Sequence, residues 1–224
     1  MQLEEVMAVL SAGESPAAEL GVKTEVWNLA GRIGLDQALA ASLWETGDLD
    51  AKVLALTIAE PEQVDVDLLY KWATDCDNHI LADSMTVLAA KSPHRLEICD
   101  RLRDCNNESR SQIGWGLVAV LAQGQIAQIP DEWFVTRLEE IEAQLHSKPG
   151  RTRHAMNLAL CSIGIRRLEL REQALHVADV LGEIKVEGIN TPNSTATIQR
   201  AISKAFHDDQ LKKRFLKRQR RMGR

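Results

Sequence analysis

The sequence predicts an all-α protein, an α-solenoid of antiparallel helix pairs forming a single curved domain. Three observations carry this. Apolar residues recur at helical spacing along most of the chain. The breaks between those stretches are only a few residues long. The composition favours helix, with 4% aromatic residues and recurring Ala, Leu, Glu, Gln and Arg. No alternating run is long enough to mark a strand. With 224 residues, 45% apolar and 26% charged, the chain can bury a real core and lacks the composition of a disordered segment.

The elements follow in order. Leu35, Ala38, Leu39 and Leu43 form a first stripe that ends at Thr46-Gly47-Asp48. Ala51, Leu54, Ala55 and Ile58 form the next, stopped by Pro61, and Val66, Leu69 and Ala73 a third. Leu81, Met85 and Leu88 share a face of a helix headed by Asn78. After Ser92-Pro93, Ile113, Leu117, Val120 and Leu121 line up before Gly124, and Ala155, Leu158, Ala159 and Ser162 follow the breaks at Pro130-Asp131 and Pro149-Gly150. Asp65, Asn78, Ser92 and Asp131 stand where N-caps belong. Leu181–Asn190 (LGEIKVEGIN) reads as an extended excursion before a helix capped near Thr191–Ser194. About five or six helix pairs of roughly 35–40 residues result, the repeat length of HEAT-like solenoids. No low-complexity linker interrupts residues 1–211, which read as one HEAT-like domain followed by a basic tail, 212–224.

The net charge of −5 hides an asymmetry. Lys212–Arg224 (KKRFLKRQRRMGR) holds eight basic residues and no acid; removing those eight from 27 leaves 19 against 32 acids, so residues 1–211 carry −13. Such a body repels phosphate at long range and the tail attracts it. Lys212, Lys213, Arg214, Lys217, Arg218, Arg220 and Arg221 are therefore candidate DNA contacts. A disordered, solvated tail is the plainer reading of such a run, and a localisation signal is the functional alternative to a nucleic-acid contact. A membrane-surface helix fits least, since Phe215, Leu216 and Met222 are its only large apolar groups, and no membrane partner is expected.

Several function classes are excluded. There is no G-x-x-x-x-G-K-S/T, G-x-G-x-x-G, H-E-x-x-H or G-x-S-x-G motif. Cys76, Cys99, Cys105 and Cys161 form no C-x-x-C pair, and His94, Cys99 and Cys105 match no zinc-ligand spacing, so all four cysteines read as ordinary reduced thiols. The opening MQLEEVM lacks the regions of a signal peptide, and Ser111–Pro130, with four glutamines, is too polar to span a bilayer. A soluble, cytoplasmic protein is expected.

Three features suggest chemistry. His79 and Asp83 fall at i and i+4 on a helix that begins near Asn78, turned away from the apolar stripe. A carboxylate there can steady a developing cation, although an exposed His–Asp pair is the simpler reading. Trp115 lies between Gly114 and Gly116, which opens room for a neighbouring helix or a flat ligand. Arg151, Arg153, His154, Arg166 and Arg167 concentrate positive charge in the acidic body.

The order of these segments resembles the DNA alkylation repair family of HEAT-like proteins, the alkylpurine DNA glycosylase D type. The resemblance runs from about Gly21 to Ala205. It rests on Ala40–Lys52 (AASLWETGDLDAK), Trp72–Asp83 against a W…D-x-W-D-x-x-D pattern, Gly114–Ala122 (GWGLVAVLA), Ala155–Gly164 (AMNLALCSIG) and the late GEIKV…TP stretch. It implies a concave face that holds duplex DNA, and hydrolysis of the glycosidic bond of cationic N3- or N7-alkylated purines without metal or cofactor. Asp83 takes the place of the catalytic aspartate. His79 stands where the family has a tryptophan, Ile80 where it has an acid, and Leu158 where a second tryptophan is aligned. Ser111-Gln112, beside Arg110, replaces a basic pair. A leucine has no π face for a cation.

The leading reading is a divergent member with a degraded catalytic site, acting as a nucleic-acid-binding module through Arg110, Trp115, Arg151, Arg153 and the tail. The first alternative is an active glycosylase using Asp83 with His79. The second is a protein–protein scaffold whose acidic concave face takes a basic partner.

Overall fold

The computed structural model describes residues 1–12, 22–124, 129–205 and 207. Its helices are α1 (Leu3–Ala12), α2 (Thr24–Ile33), α3 (Gln37–Glu45), α4 (Leu49–Ile58), α5 (Val66–Thr74), α6 (His79–Lys91), α7 (Arg95–Arg103), α8 (Glu108–Gln123), α9 (Asp131–Gln144), α10 (Gly150–Arg166) and α11 (Arg171–Leu181). Residues 194–205 are also helical. Among the described residues there is no strand, only an isolated bridge between Val186 and Ile189 inside the stretch read as extended. No helix among them is long and apolar enough to cross a membrane. The chain divides into two compact units, Met1–Val118 and Ala119–Arg224, and the division falls within α8.

In the first unit the helix starts are set by side-chain caps. Asp36, Asp48 and Asp65 accept from the backbone N–H of Leu39, Ala51 and Leu68 at 2.9, 2.9 and 2.8 Å. Asn78 accepts from Ile80 and Leu81 at 3.0 and 3.1 Å. Each such cap contributes about 1 kcal/mol. Helix α4 packs against α2, α3 and α6. It is accordingly apolar almost all round, with Ala51, Val53, Leu54, Ala55, Leu56 and Ile58 buried. Trp44 of α3 stacks on Trp72 of α5, ring centroids 4.8 Å apart and 19° between planes. The Trp44 indole donates to Asp75 at 3.4 Å, and Lys52 lies over its ring at 5.1 Å.

Two expected caps are displaced. Ser92 closes α6 rather than opening α7; its hydroxyl accepts from the N–H of His94, which precedes α7 without a side-chain cap. Asp131 is the first residue of α9, after Pro130, and its carboxylate pairs with Arg167 at 3.5 Å instead. The stripes also lose members: Leu35 precedes α3 and is exposed, Val66 is half-buried, and Val120 and Leu158 are exposed.

The second unit packs α10 against α9 and α11. Phe134, Leu138 and Ile141 of α9 and Met156, Leu160 and Ile163 of α10 are all fully buried. The Arg167 guanidinium covers the Phe134 ring at 4.3 Å. Asn157 donates to the carbonyl of Pro192 at 2.8 Å, fixing the end of the excursion. Asn193 then accepts from Ala196 N–H at 2.8 Å, a cap inside the expected Thr191–Ser194 window.

Helix α8 is seated by its two glycines. They are two residues apart, about 200° around the helix, so they face different neighbours. A Cβ on Gly114 would lie 2.3 Å from the backbone nitrogen of Arg103; one on Gly116 would lie 3.1 Å from the side chain of Thr86. The end of α7 therefore rests directly on the backbone of α8, and Cys99 donates to the Gly114 carbonyl at 3.4 Å. Trp115, between them, is fully buried. Helix packing is the reason for this Gly-Trp-Gly, and the indole offers no face to a ligand.

All four cysteines are free thiols, and Cys76, Cys99 and Cys161 are buried. Burial pushes the Cys76 thiol up to about 12 and the Cys161 thiol up to about 11, so neither carries thiolate near neutrality.

Alanine at Gly114 gains about 1 kcal/mol of helix propensity but must displace backbone, whereas alanine at Gly116 need only shift a side chain by a few tenths of an ångström. Urea denaturation is expected to show Gly114→Ala less stable than Gly116→Ala by at least about 1 kcal/mol. Equal midpoints would contradict the seating.

Candidate nucleic-acid interface

Helix α6 starts where its Asn78 cap fixes it, and its solvent face then carries His79, Asp83, Val87 and Lys91, all exposed. Leu81, Met85 and Leu88 are buried on its other side. His79 and Asp83 thus share a face, as the spacing predicts. The hydrogen bond to Asp83, however, comes from elsewhere. Gln112 Nε2 of α8 donates to Asp83 Oδ1 at 2.7 Å, and Gln112 itself is buried.

The neighbouring polar residues are structural. Ser111 donates to the carbonyl of Arg103 at 2.7 Å and so satisfies the end of α7. Asp75 holds the Trp44 indole, and Asp77 accepts from the Asn78 amide at 2.8 Å. Of the Ser111-Gln112 pair, one residue therefore anchors α7 and the other orients Asp83. The Asp83 carboxylate is bound to a neutral amide.

The other candidates fall in different places. Arg110, in the first turn of α8, is half-buried, and its Nε is buried with no hydrogen-bond partner among the described residues. Arg151 and Arg153 are half-buried in the first turn of α10, where helix stability alone favours acids. The Nε of Arg153 is also buried and unpartnered among the described residues. Trp115 is enclosed. Leu158 is exposed on α10. Lys212, Lys213, Arg214, Lys217, Arg218, Arg220 and Arg221 lie outside the described residues. Among the described residues no group of three or more His, Cys, Asp or Glu is placed to hold a metal ion.

Sequence reasoning missed Trp27. Val26 and Leu29 of α2 turn into the core, which leaves Trp27 on the outer face, 50% exposed. It lines a groove with Val87 and Lys91, on the exposed face of α6 that also bears Asp83. The helical spacing of Val22, Val26 and Leu29, all buried, was the available signal, since it turns Trp27 outward.

Asp83→Asn keeps an acceptor for Gln112 and sits on the surface, so its unfolding free energy should stay within about 0.5 kcal/mol of wild type. Gln112→Glu sets two carboxylates in contact, a repulsion of about 1–4 kcal/mol between surface-like and partly screened limits. The shared site then holds a proton more tightly when folded than when unfolded, so stability is expected to fall at neutral pH and to recover as the pH drops below about 5. Thermal unfolding against pH checks both.

Comparison with known proteins places this geometry. A family model described as DNA alkylation repair enzyme matches residues 20–205. No curated protein matches the chain. A solved structure described as belonging to "a new family of proteins related to the HEAT-like repeat DNA glycosylases with affinity for branched DNA structures" shares the fold, with a TM-score of 0.80 and 24% identity. The alignment covers 92% of this chain and 95% of that one. The helical repeat is thus of the HEAT-like kind, and the chain belongs to the DNA alkylation repair enzyme family.

Proposed function

We propose that this chain is a DNA-binding module of its family, taking duplex and branched DNA, in which the base-excision step has been lost. The observation that carries this reading is the state of Asp83: exposed, and hydrogen-bonded to the neutral Gln112. Releasing an alkylated purine builds positive charge on the deoxyribose. A carboxylate about 4 Å from that charge contributes about 1 kcal/mol in water and about 4 kcal/mol in a partly desolvated setting. The first value is worth less than tenfold in rate, far short of what an enzyme needs. Desolvation requires walls. His79, which stands where the resemblance has a tryptophan, is exposed and adds repulsion if protonated.

Binding is supported by the cations. Phosphate contacts position a protein on DNA without reading sequence. Arg110 and Arg153 have guanidinium groups partly withdrawn from water, with an Nε that finds no acceptor among the described residues. A phosphate cannot reach a nitrogen buried in this way, but half-buried arginines can pair with one through their other guanidinium N–H groups, and the first turn of α10 adds the positive end of its dipole beside Arg153. The relative with affinity for branched DNA has the same fold. Since residues 1–211 carry −13, the tail supplies most of the long-range attraction.

Two experiments test this. Release of 7-methylguanine from methylated duplex DNA is expected at background, with wild type and Asp83→Asn alike. Ready release that Asp83→Asn abolishes would make the chain an active glycosylase. Deleting residues 212–224 should weaken DNA binding and flatten its salt dependence, by roughly 0.9 in the log–log slope for each tail charge that meets a phosphate. An unchanged slope would remove the tail from the interface.

A further inference from the structure

The groove beside α6 is of a size for one small group, with an exposed indole in its wall. It lies within the first unit, where α4 packs against both α2 and α6, and holds about 230 Å³. Trp27, Leu35, Leu56, Pro61 and Val87 make its apolar walls. Trp27, Leu35 and Val87 are 50%, 63% and 53% exposed, an uncovered patch of large apolar groups. On α6 the lining residues Ser84, Val87, Leu88 and Lys91 are spaced i, i+3, i+4, i+7, so they form one face, beside Asp83.

Size and charge narrow the occupant. The volume is below the roughly 300 Å³ at which pockets for drug-sized ligands begin, so a peptide helix does not fit within it. Among the described residues Lys91 is the sole charged member of the lining and no acid contributes, although the surrounding body is strongly acidic. Lys91 lies eight residues from Asp83, about 12 Å along the helix, which keeps an anion bound there away from that carboxylate. A flat apolar face joined to one negative charge matches these features, and a nucleotide has both. Bases stacked inside a duplex cannot enter such a slot; unpaired ones can.

We propose that this groove receives an unpaired nucleobase, stacked on Trp27 with its phosphate on Lys91, and that it gives the protein a preference for DNA with unpaired or branched segments. The proposal rests on the DNA-binding reading and specifies what that binding selects.

The test uses the full chain and three fluorescent DNAs of equal length. One is a blunt duplex, one a fork with single-stranded thymidine arms, and one the same fork with abasic arms. Wild type is expected to favour the thymidine fork over both others. Trp27→Ala should lower affinity for that fork about 10- to 100-fold, the size of one base–aromatic stack, and leave the blunt duplex unchanged. Trp27→Phe should recover part of the loss, and Lys91→Glu should weaken fork binding further than abasic-fork binding. Equal wild-type affinity for the two forks, or a preference that survives Trp27→Ala, would overturn the proposal while leaving DNA binding intact. Failure of wild type to bind any of the three would overturn the DNA-binding reading and the proposal with it. Sedimentation showing a dimer that Trp27→Ala dissociates would assign the groove to a second copy of the chain instead.

Discussion

The contact between the backbone of Arg103 and Gly114 is the constraint on which the rest of the candidate site depends. At 2.3 Å from a hypothetical Cβ, it admits only glycine without rearrangement. Because α7 ends directly on α8 there, Ser111 reaches the carbonyl of Arg103, the last of α7, and Trp115 is sealed in the core. Gly116, on the other side, lets Thr86 of α6 come close. With α8 fixed against both helices, Gln112 has one place to go, and that place is the Asp83 carboxylate. A buried amide of that kind must find a partner, since leaving it unpaired costs about 1–3 kcal/mol.

That arrangement separates position from chemistry. Asp83, which the sequence resemblance aligns with the catalytic aspartate, faces water, and its neighbour on the helix is a histidine. The tryptophans of the surrounding segments are used for packing: Trp44 and Trp72 stack on each other, and Trp115 fills the space between helices. The aromatic that does reach the surface near this face is Trp27, from a different helix. A face with a fixed carboxylate, an exposed indole and a terminal lysine is suited to holding nucleic acid more than to breaking a bond in it.

Much of the fold was legible in the sequence because local rules and tertiary packing agree. The Asp65 and Asn78 caps, the buried stripe of α4 and the excursion at Leu181–Asn190 all follow from spacing and cap chemistry. Ser92 and Asp131 were displaced because proline follows one and precedes the other, and their side chains found better uses nearby. Helix α7 carried no clear stripe, since Ile98, Cys99 and Leu102 are set among five charged residues. Leu158 fitted a periodic pattern but lies on the one side of α10 that the core does not cover. At the site, the shared face of His79 and Asp83 was readable from their spacing. The Gln112 bond was not, because its donor is 29 residues away and depends on how α8 seats.

Charge completes the picture. On the DNA-binding reading proposed above, a body of −13 with a strongly basic tail holds DNA through local cations and not through its overall field. That reading gives affinity mainly to the tail and to arginines such as Arg110 and Arg153, and the choice of DNA shape to the exposed face of α6. Hydrogen–deuterium exchange of the full chain, with and without a saturating fork with single-stranded thymidine arms, tests this division most directly. Docking on that face requires slower exchange in α2 and α6 when the fork is bound. Fork binding that leaves the exchange of α2 and α6 unaltered would contradict it.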